Sequence, residues 1–92
     1  MSAQRYLGLA ADARPHTLLD HVLLRQQLKN DAELSRALQL APSSLSKIRH
    51  GRTGVSAELM LRVHEVFEIP IAELKRLDAI HQQYLLRHPQ AA

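Results

Sequence analysis

The segment NDAELSRALQLAPSSLSKIRHG, residues 30–51, decides the fold of this chain because it contains two helix starts separated by a short turn. Asn30 precedes a glutamate by three residues, which is the capping-box spacing found where helices begin. Pro42 suits the first position of a further helix, where its missing N–H costs no hydrogen bond. Gly51 stands where a left-handed residue would end that helix. The segment therefore predicts two short helices joined by residues 39–41.

The second of these two helices has two chemically different faces. Leu45 and Ile48 point to one side and would anchor the helix on an apolar core. The other side has no acidic residue and carries a stripe at the spacing i, i+3, i+4 and i+7, made of Ser43, Ser46, Lys47 and His50. Hydroxyl groups bond to any base edge, and lysine pairs with guanine or with phosphate. The stripe is typical of a helix that enters the major groove, and an ordinary solvated face is the alternative interpretation.

Helical spacing continues outside this segment, and the alternation typical of strands does not appear. A first helix is predicted to begin at Thr17, which can cap it together with Asp20 three residues later. Ser56 is predicted to cap a fourth helix. A fifth helix is expected to run from Pro70 towards Leu86, since the proline breaks the helix before it. These signals predict an all-α protein with five helices.

Three parts are predicted along the chain. Residues 1–16 form an N-terminal arm, because Arg14 precedes a proline and is biased away from helix. One short helical turn is expected in this arm, around Tyr6 to Ala11. Residues 17–77 form the helix-turn-helix domain, and residues 78–92 form a C-terminal helical extension and tail.

Composition limits the protein to a few classes. The chain has 92 residues, of which 46% are hydrophobic, so it is expected to be one small domain. It has no cysteine and therefore no disulfide or thiolate metal site. A net charge of +3 favours a polyanionic partner only weakly. Five scattered arginines are interpreted as ordinary surface charges, with a contact to backbone phosphate from the second helix as the alternative for Arg36: Arg5, Arg14, Arg25, Arg36 and Arg62.

Membrane, metal and catalytic roles find no support in the residue pattern. No apolar run of about 18 residues exists, and the N-terminal apolar stretch is too short for a signal peptide, so a cytoplasmic protein is expected. The sequence HEVFE at residues 64–68 lacks the second histidine of a zinc-protease motif. No glycine-rich phosphate loop or Ser-His-Asp arrangement is present. The chain is therefore expected to have no metal site, no cofactor and no enzymatic activity.

Residues 17–77 resemble the Cro and lambda-repressor type of helix-turn-helix proteins, also called the XRE family. The family pattern is roughly Thr-Gln-x-Glu-Leu-Ala, three variable positions, Gly-Val-Ser, three variable positions and Ile-Ser-x-x-Glu-x-Gly, and residues 30–51 match its spacing without a gap. The chain departs from it at Gln39, Ala41 and Arg49, which stand where the family has the turn glycine, a capping serine and a glutamate. The resemblance implies five helices, with the third as recognition helix.

The resemblance also implies a function and a set of contact residues. Family members bind double-stranded DNA sequence-specifically, most of them as two-fold dimers, so a homodimeric transcriptional repressor is expected. The positions that read bases fall on Pro42, Ser43, Ser46 and Lys47. The positions that hold phosphate fall on Asn30, Asp31, His50, Arg52 and Thr53. An aspartate is unfavourable near phosphate unless a cation such as Arg52 pairs with it or its position at a helix N-terminus is used.

The fifth helix continues beyond Leu77, near which it often ends in the family. Its further apolar residues would be partly exposed on a lone domain, and they are predicted to form the dimer interface: Ile80, Tyr84 and Leu85. The alternative is that they pack against the apolar residues of the arm, Tyr6, Leu7 and Leu9.

Two other functions remain open from the sequence. One is an antitoxin-type module that binds a toxin-like protein partner, with DNA binding secondary. The other is a helix-turn-helix fold that has lost DNA binding, which is less compatible with the serines and lysine kept on the groove face.

Overall fold

The computed structural model describes residues 14–89, and within this range the chain forms five helices and no strand. This confirms the predicted all-α fold with a long fifth helix. The helical turn expected around Tyr6 to Ala11 lies outside the described residues. The helices are α1 (Thr17–Arg25), α2 (Asp31–Leu38), α3 (Pro42–Arg49), α4 (Ala57–Phe67) and α5 (Ile71–Arg87).

The N-terminal cap of α1 is His16, one residue earlier than predicted. The ring Nδ1 of His16 accepts a hydrogen bond from the backbone N–H of Leu19 at 3.3 Å. In return, Asp20 Oδ2 accepts from the backbone N–H of His16 at 3.0 Å. Thr17 cannot be the cap because it already belongs to the helix, whereas His16 has extended backbone angles (φ −144°, ψ 115°). The reciprocal capping pattern is therefore present, with histidine as the capping residue.

The other predicted helix boundaries agree with the structure. Asn30 Oδ1 accepts from the backbone N–H of Glu33 at 3.0 Å, which caps α2. Ser56 Oγ accepts from the backbone N–H of Leu59 at 3.1 Å and caps α4. The α5 helix begins directly after Pro70 and has no side-chain cap.

One apolar core lies between the five helices. The α1 helix packs along α5, while α2 packs against both α3 and α4, and α4 also contacts α5. Each side chain removed from water here contributes roughly 1.5–3 kcal/mol before entropy is counted. The buried apolar residues are Leu18, Leu19, Val22, Leu23, Leu34, Leu38, Leu45, Ile48, Leu59, Val63, Ile69, Leu74 and Leu77. This core holds the inner side of α3 and leaves its other side in solvent.

Two histidines extend the contact between α1 and α5. The rings of His16 and His81 stack with their centroids 3.9 Å apart, and both side chains are buried. His81 Nδ1 also accepts from the backbone N–H of Thr17 at 3.3 Å. The pKa of His16 is lowered to about 4, mainly by burial and then by the charges of His81 and Arg49, while the nearby Asp20 acts in the opposite direction. These two histidines therefore belong to the core rather than to a ligand site.

Candidate nucleic-acid interface

The turn between α2 and α3 adopts the conformation that this motif requires without a glycine. Gln39 has φ 56° and ψ 44°, which is the left-handed region expected for the residue at this position. The backbone N–H of Leu40 donates to the carbonyl of Ser35 at 2.9 Å and closes the end of α2. Ala41 provides no side-chain cap, and Pro42 occupies the first position of α3. The chain therefore makes this turn with Gln39, a residue that carries a Cβ, in the left-handed conformation.

The outer face of α3 is exposed and carries the predicted base-reading residues. Pro42, Ser43, Ser46 and Lys47 are all exposed. Leu45 and Ile48 are buried on the opposite side, as their spacing predicts. His50 is half-buried at the end of the stripe, where its ring Nδ1 donates to the carbonyl of Ser46 at 2.9 Å. The first turn of α3 contains no acidic residue, so the start of this exposed face carries no negative side chain.

Three of the predicted phosphate-binding residues are exposed, two of them in the loop after α3 and one at the start of α2. Arg52 and Thr53 are exposed in the loop that follows α3, after Gly51 with φ 75°. Their backbone N–H groups donate to the carbonyl of Lys47 at 2.8 and 3.3 Å, so the loop is folded back onto α3. Asn30 is exposed at the start of α2, where its side chain is engaged as the cap.

Asp31 pairs with Arg49 rather than with Arg52, the cation proposed from the sequence. Arg49 Nε and Nη2 donate to the two carboxylate oxygens of Asp31 at 2.7 and 3.0 Å. Arg49 Nη2 also lies 2.9 Å from Asp20 Oδ1, and Nη1 donates to the carbonyl of Arg14 at 2.6 Å. One guanidinium therefore joins α1, α2, α3 and the segment before α1.

Arg49 is only 5% exposed, so its charge depends on these partners. Burial by itself lowers the pKa of Arg49, but the hydrogen bonds and the charge of Asp31, together with Asp20, outweigh burial and raise that pKa above its ordinary value. A bidentate arginine–carboxylate pair fixes orientation as well as charge. Arg49, which replaces the family glutamate, therefore has a structural role: it forms ion pairs with Asp20 and Asp31 on the inner face of α3.

The predicted dimer residues lie where α5 leaves the core. Ile80 is 43% exposed, and Tyr84 and Leu85 are half-buried. Leu86 is 75% exposed, and sequence reasoning did not include it among the interface residues. Tyr84 stands between His81 and His88, with ring centroids 6.1 and 4.5 Å away. The end of α5 therefore presents apolar and aromatic groups to solvent.

The exposed polar face, the turn and the buried anchors together match a helix-turn-helix motif, and comparison with known families gives the same result. A family model described as Helix-turn-helix matches residues 23–74, more than half of the chain. The chain belongs to the XRE-type helix-turn-helix family. Proteins of this XRE family are DNA-binding transcription regulators that bind double-stranded DNA, and the family is not typically enzymatic.

The matched region includes the whole of α2, the turn, α3 and α4, and it ends in the first turn of α5. No curated protein and no solved structure matches the chain. None of the helices in the described range has the length and apolar character needed to cross a bilayer. The family thus accounts for the motif, while the end of α5 lies beyond the matched residues.

Proposed function

We propose that this protein is a homodimeric repressor that places α3 in the major groove of a specific double-stranded DNA site. The observation that carries this proposal is the exposed face of α3, on which Ser43, Ser46 and Lys47 stand together without an acidic neighbour. Major-groove base edges and the flanking phosphates offer mostly acceptors and negative charge to such a face. The XRE-type family of the chain supports the same assignment.

Four residues of α3 are proposed to read bases. Lys47 donates to guanine O6 and N7, and Ser43 and Ser46 bond to neighbouring base edges. Pro42, at the exposed start of the helix, offers an apolar surface to a base or a thymine methyl group. These contacts come from the first turn and a half of α3, which is the part that enters deepest in this type of motif.

Five residues are proposed to hold phosphates of the DNA backbone beside the groove. Arg52 and Thr53 approach one strand from the loop after α3, with His50 beside them. Asn30 and Asp31 lie at the N-terminus of α2, where backbone N–H groups and the helix dipole favour an anion. Because Arg49 neutralises the carboxylate of Asp31, the phosphate contact at Asp31 is proposed to use its backbone N–H.

Dimerisation is proposed to use the end of α5, through Ile80, Tyr84 and Leu85. A single recognition helix covers only a few base pairs and gives little selectivity. Two copies joined by a two-fold contact would place their recognition helices about 34–36 Å apart, one turn of DNA. Pairing the patch with its own copy would also remove its apolar surface from water.

A selection of duplexes from a random pool tests DNA recognition. The expected outcome is a two-fold symmetric site with half-sites centred about 10–10.5 base pairs apart, bound more weakly as salt rises. The salt concentration is held fixed across rounds, because non-specific affinity depends strongly on it. A protein that enriches no sequence would contradict the proposal.

Sedimentation of the double variant Tyr84→Glu, Leu85→Glu tests the dimer. Wild-type protein is expected to sediment as a dimer and the variant as a helical monomer, because charges in the patch oppose pairing. Leu24→Glu is the matched control, since Leu24 is an exposed leucine at the end of α1 and away from the patch. A double variant that stays dimeric and helical would move the interface elsewhere, first to the arm around Tyr6 and Leu9.

A further inference from the structure

The turn of the DNA-binding motif is held from outside by a residue of α4. Arg62 Nη1 donates to the carbonyl oxygen of Leu38 at 2.7 Å and to that of Gln39 at 3.1 Å. Leu38 is the last residue of α2, and Gln39 is the left-handed residue that follows it. Arg62 is therefore not the plain surface charge that its scattered position in the sequence indicated. It caps the end of α2.

This cap lies where the turn has both carbonyls that lack a partner within the helix and a strained backbone conformation. The last carbonyl groups of a helix have no partner within the helix, so they need an external donor or water. A residue with a Cβ is also strained in the left-handed region, where glycine is not. Gln39 combines both conditions, since it has φ 56° and its own carbonyl faces Arg62.

We propose that Arg62 is a positioning residue for DNA binding. By holding the carbonyls of Leu38 and Gln39, its guanidinium keeps the turn in the conformation that sets the angle between α2 and α3. The base-reading face of α3 is then presented to the groove in one orientation, although Arg62 itself lies on α4 and touches no base. This inference rests on the DNA-binding function proposed above.

The neighbouring carboxylate does not explain the position of Arg62. Glu58 Oε2 lies 3.6 Å from Arg62 Nη2, one turn earlier on α4, and its side chain is 69% exposed. An exposed pair of this kind contributes little and is screened by salt. The two carbonyl contacts are shorter and directed at the turn, so they decide where the guanidinium lies.

The binding test compares Arg62→Met with Arg76→Met. Both replacements remove a guanidinium and keep a similar stem, but Arg76 pairs with Glu73 on α5, away from the turn. At a temperature where both variants are folded, Arg62→Met is expected to bind the duplex selected with wild-type protein about tenfold more weakly, as expected for one charge-assisted hydrogen bond. Arg76→Met is expected to bind it as wild type does.

Two further variants separate positioning from other roles. Arg62→Lys keeps a donor and is expected to retain part of the affinity. Adding Gln39→Gly to Arg62→Met is expected to recover most of it, because glycine adopts the left-handed conformation without strain. Unchanged affinity in folded Arg62→Met would overturn the proposal, as would no recovery with Gln39→Gly. A salt slope lower by about one unit would overturn it too, since it would make Arg62 a phosphate contact.

Amide hydrogen exchange tests the same proposal without DNA. The backbone N–H of Leu40, bonded to the carbonyl of Ser35 across the turn, is expected to exchange faster in Arg62→Met than in wild type or in Arg76→Met. Unchanged exchange at Leu40 would overturn the role of Arg62 in the turn. If the wild-type protein selects no duplex, the DNA-binding proposal fails by itself, and this measurement still decides what Arg62 does.

Discussion

Lys47 and Arg49 are both cationic and lie two residues apart on α3, yet they stand on opposite faces of the helix. Lys47 is exposed beside Ser43 and Ser46. Arg49 is buried, and it bonds to Asp31, Asp20 and the carbonyl of Arg14. The charge of Lys47 is therefore exposed to solvent, while the charge of Arg49 is paired within the protein.

The difference shows that residue type alone does not mark a binding group. A charge that is exposed costs little to keep and can meet a phosphate, whereas a buried charge must be paired or the fold loses stability. Removing the inner cation should therefore affect folding, and removing the outer one should affect binding. The following predictions test that separation, beginning with the largest expected effect.

Arg49→Met is expected to destabilise the fold by about 3–5 kcal/mol, because it leaves two carboxylates without their cation. The lower end is expected, since the side chains of Asp20 and Asp31 are 19% and 27% exposed and keep some contact with water. Urea unfolding followed by circular dichroism measures the change. Lys47→Met is the matched control on the outer face, with an expected change within about 0.5 kcal/mol.

Arg49→Lys extends this test if Arg49→Met does not fold. Lysine keeps the charge but loses the bidentate geometry, so an intermediate loss of stability is expected. Equal stability of wild type, Arg49→Met and Lys47→Met would show that the two faces do not differ in this way.

A fall in pH is expected to destabilise the fold through His16, which is buried near Arg49. The pKa of His16 is about 4 in the fold and 6.5 ordinarily, so the unfolded chain binds its proton first as pH falls. Stability that is complete above pH 6.5 is therefore lost between about pH 6.5 and 4, by about 3 kcal/mol. Urea midpoints measured across this range test the expectation.

His16→Asn is the informative variant for this pH dependence. Asparagine caps a helix well and does not titrate, so the loss of stability between pH 6.5 and 4 should become smaller. His50→Asn, at the end of the outer stripe, should leave most of that loss in place. If His16→Asn loses as much stability between pH 6.5 and 4 as wild type does, groups other than His16 cause the loss.

Lys47→Ala is expected to weaken binding to the preferred site by about 1–3 kcal/mol and to relax specificity at one position. The fold should remain as stable as wild type, because the side chain is exposed. Quantitative binding to the selected duplex and to its single-base variants measures both effects. Wild-type affinity together with wild-type site preference would remove Lys47 from the base-reading residues.

Arg52→Ala is expected to have the smallest and most uniform effect. It should weaken binding to all duplexes alike and lower the salt slope by about one unit, because one phosphate contact is lost. Titrations at several salt concentrations, with the selected duplex and a scrambled one, provide the measurement. A changed sequence preference with an unaltered slope would argue for a base contact instead.

The features of the fold that depend on local chemistry were predictable from the sequence. Asn30, Ser56, Pro42 and Gly51 each have a short-range reason to begin or end a helix, and each does so in the structure. The cap at His16 was missed because histidine is an uncommon capping residue and Thr17 beside it is a favoured one. Gln39 stands at the position of the family's turn glycine, and its left-handed conformation (φ 56°) is the one that glycine adopts without strain.

The long-range contacts of two arginines were not predictable. The pairing of Arg49 with Asp31 joins residues 18 positions apart, and the contact of Arg62 with Leu38 spans 24. Such contacts depend on how the helices cross, which the local pattern does not specify. Spacing placed Ser43, Ser46 and Lys47 on one exposed face, but it did not indicate that Arg49 would be shared among three parts of the chain.

The pair of Asp31 and Arg49 also restricts how the sequence can change over generations. A neutral residue at position 31 would remove the carboxylate that accepts two hydrogen bonds from Arg49. An acidic residue at position 49 would place a third negative charge beside Asp31 and Asp20. Either single change passes through a less stable protein, so the two positions are expected to change together. Relatives with the usual family glutamate at the position of Arg49 should therefore not carry an aspartate at the position of Asp31.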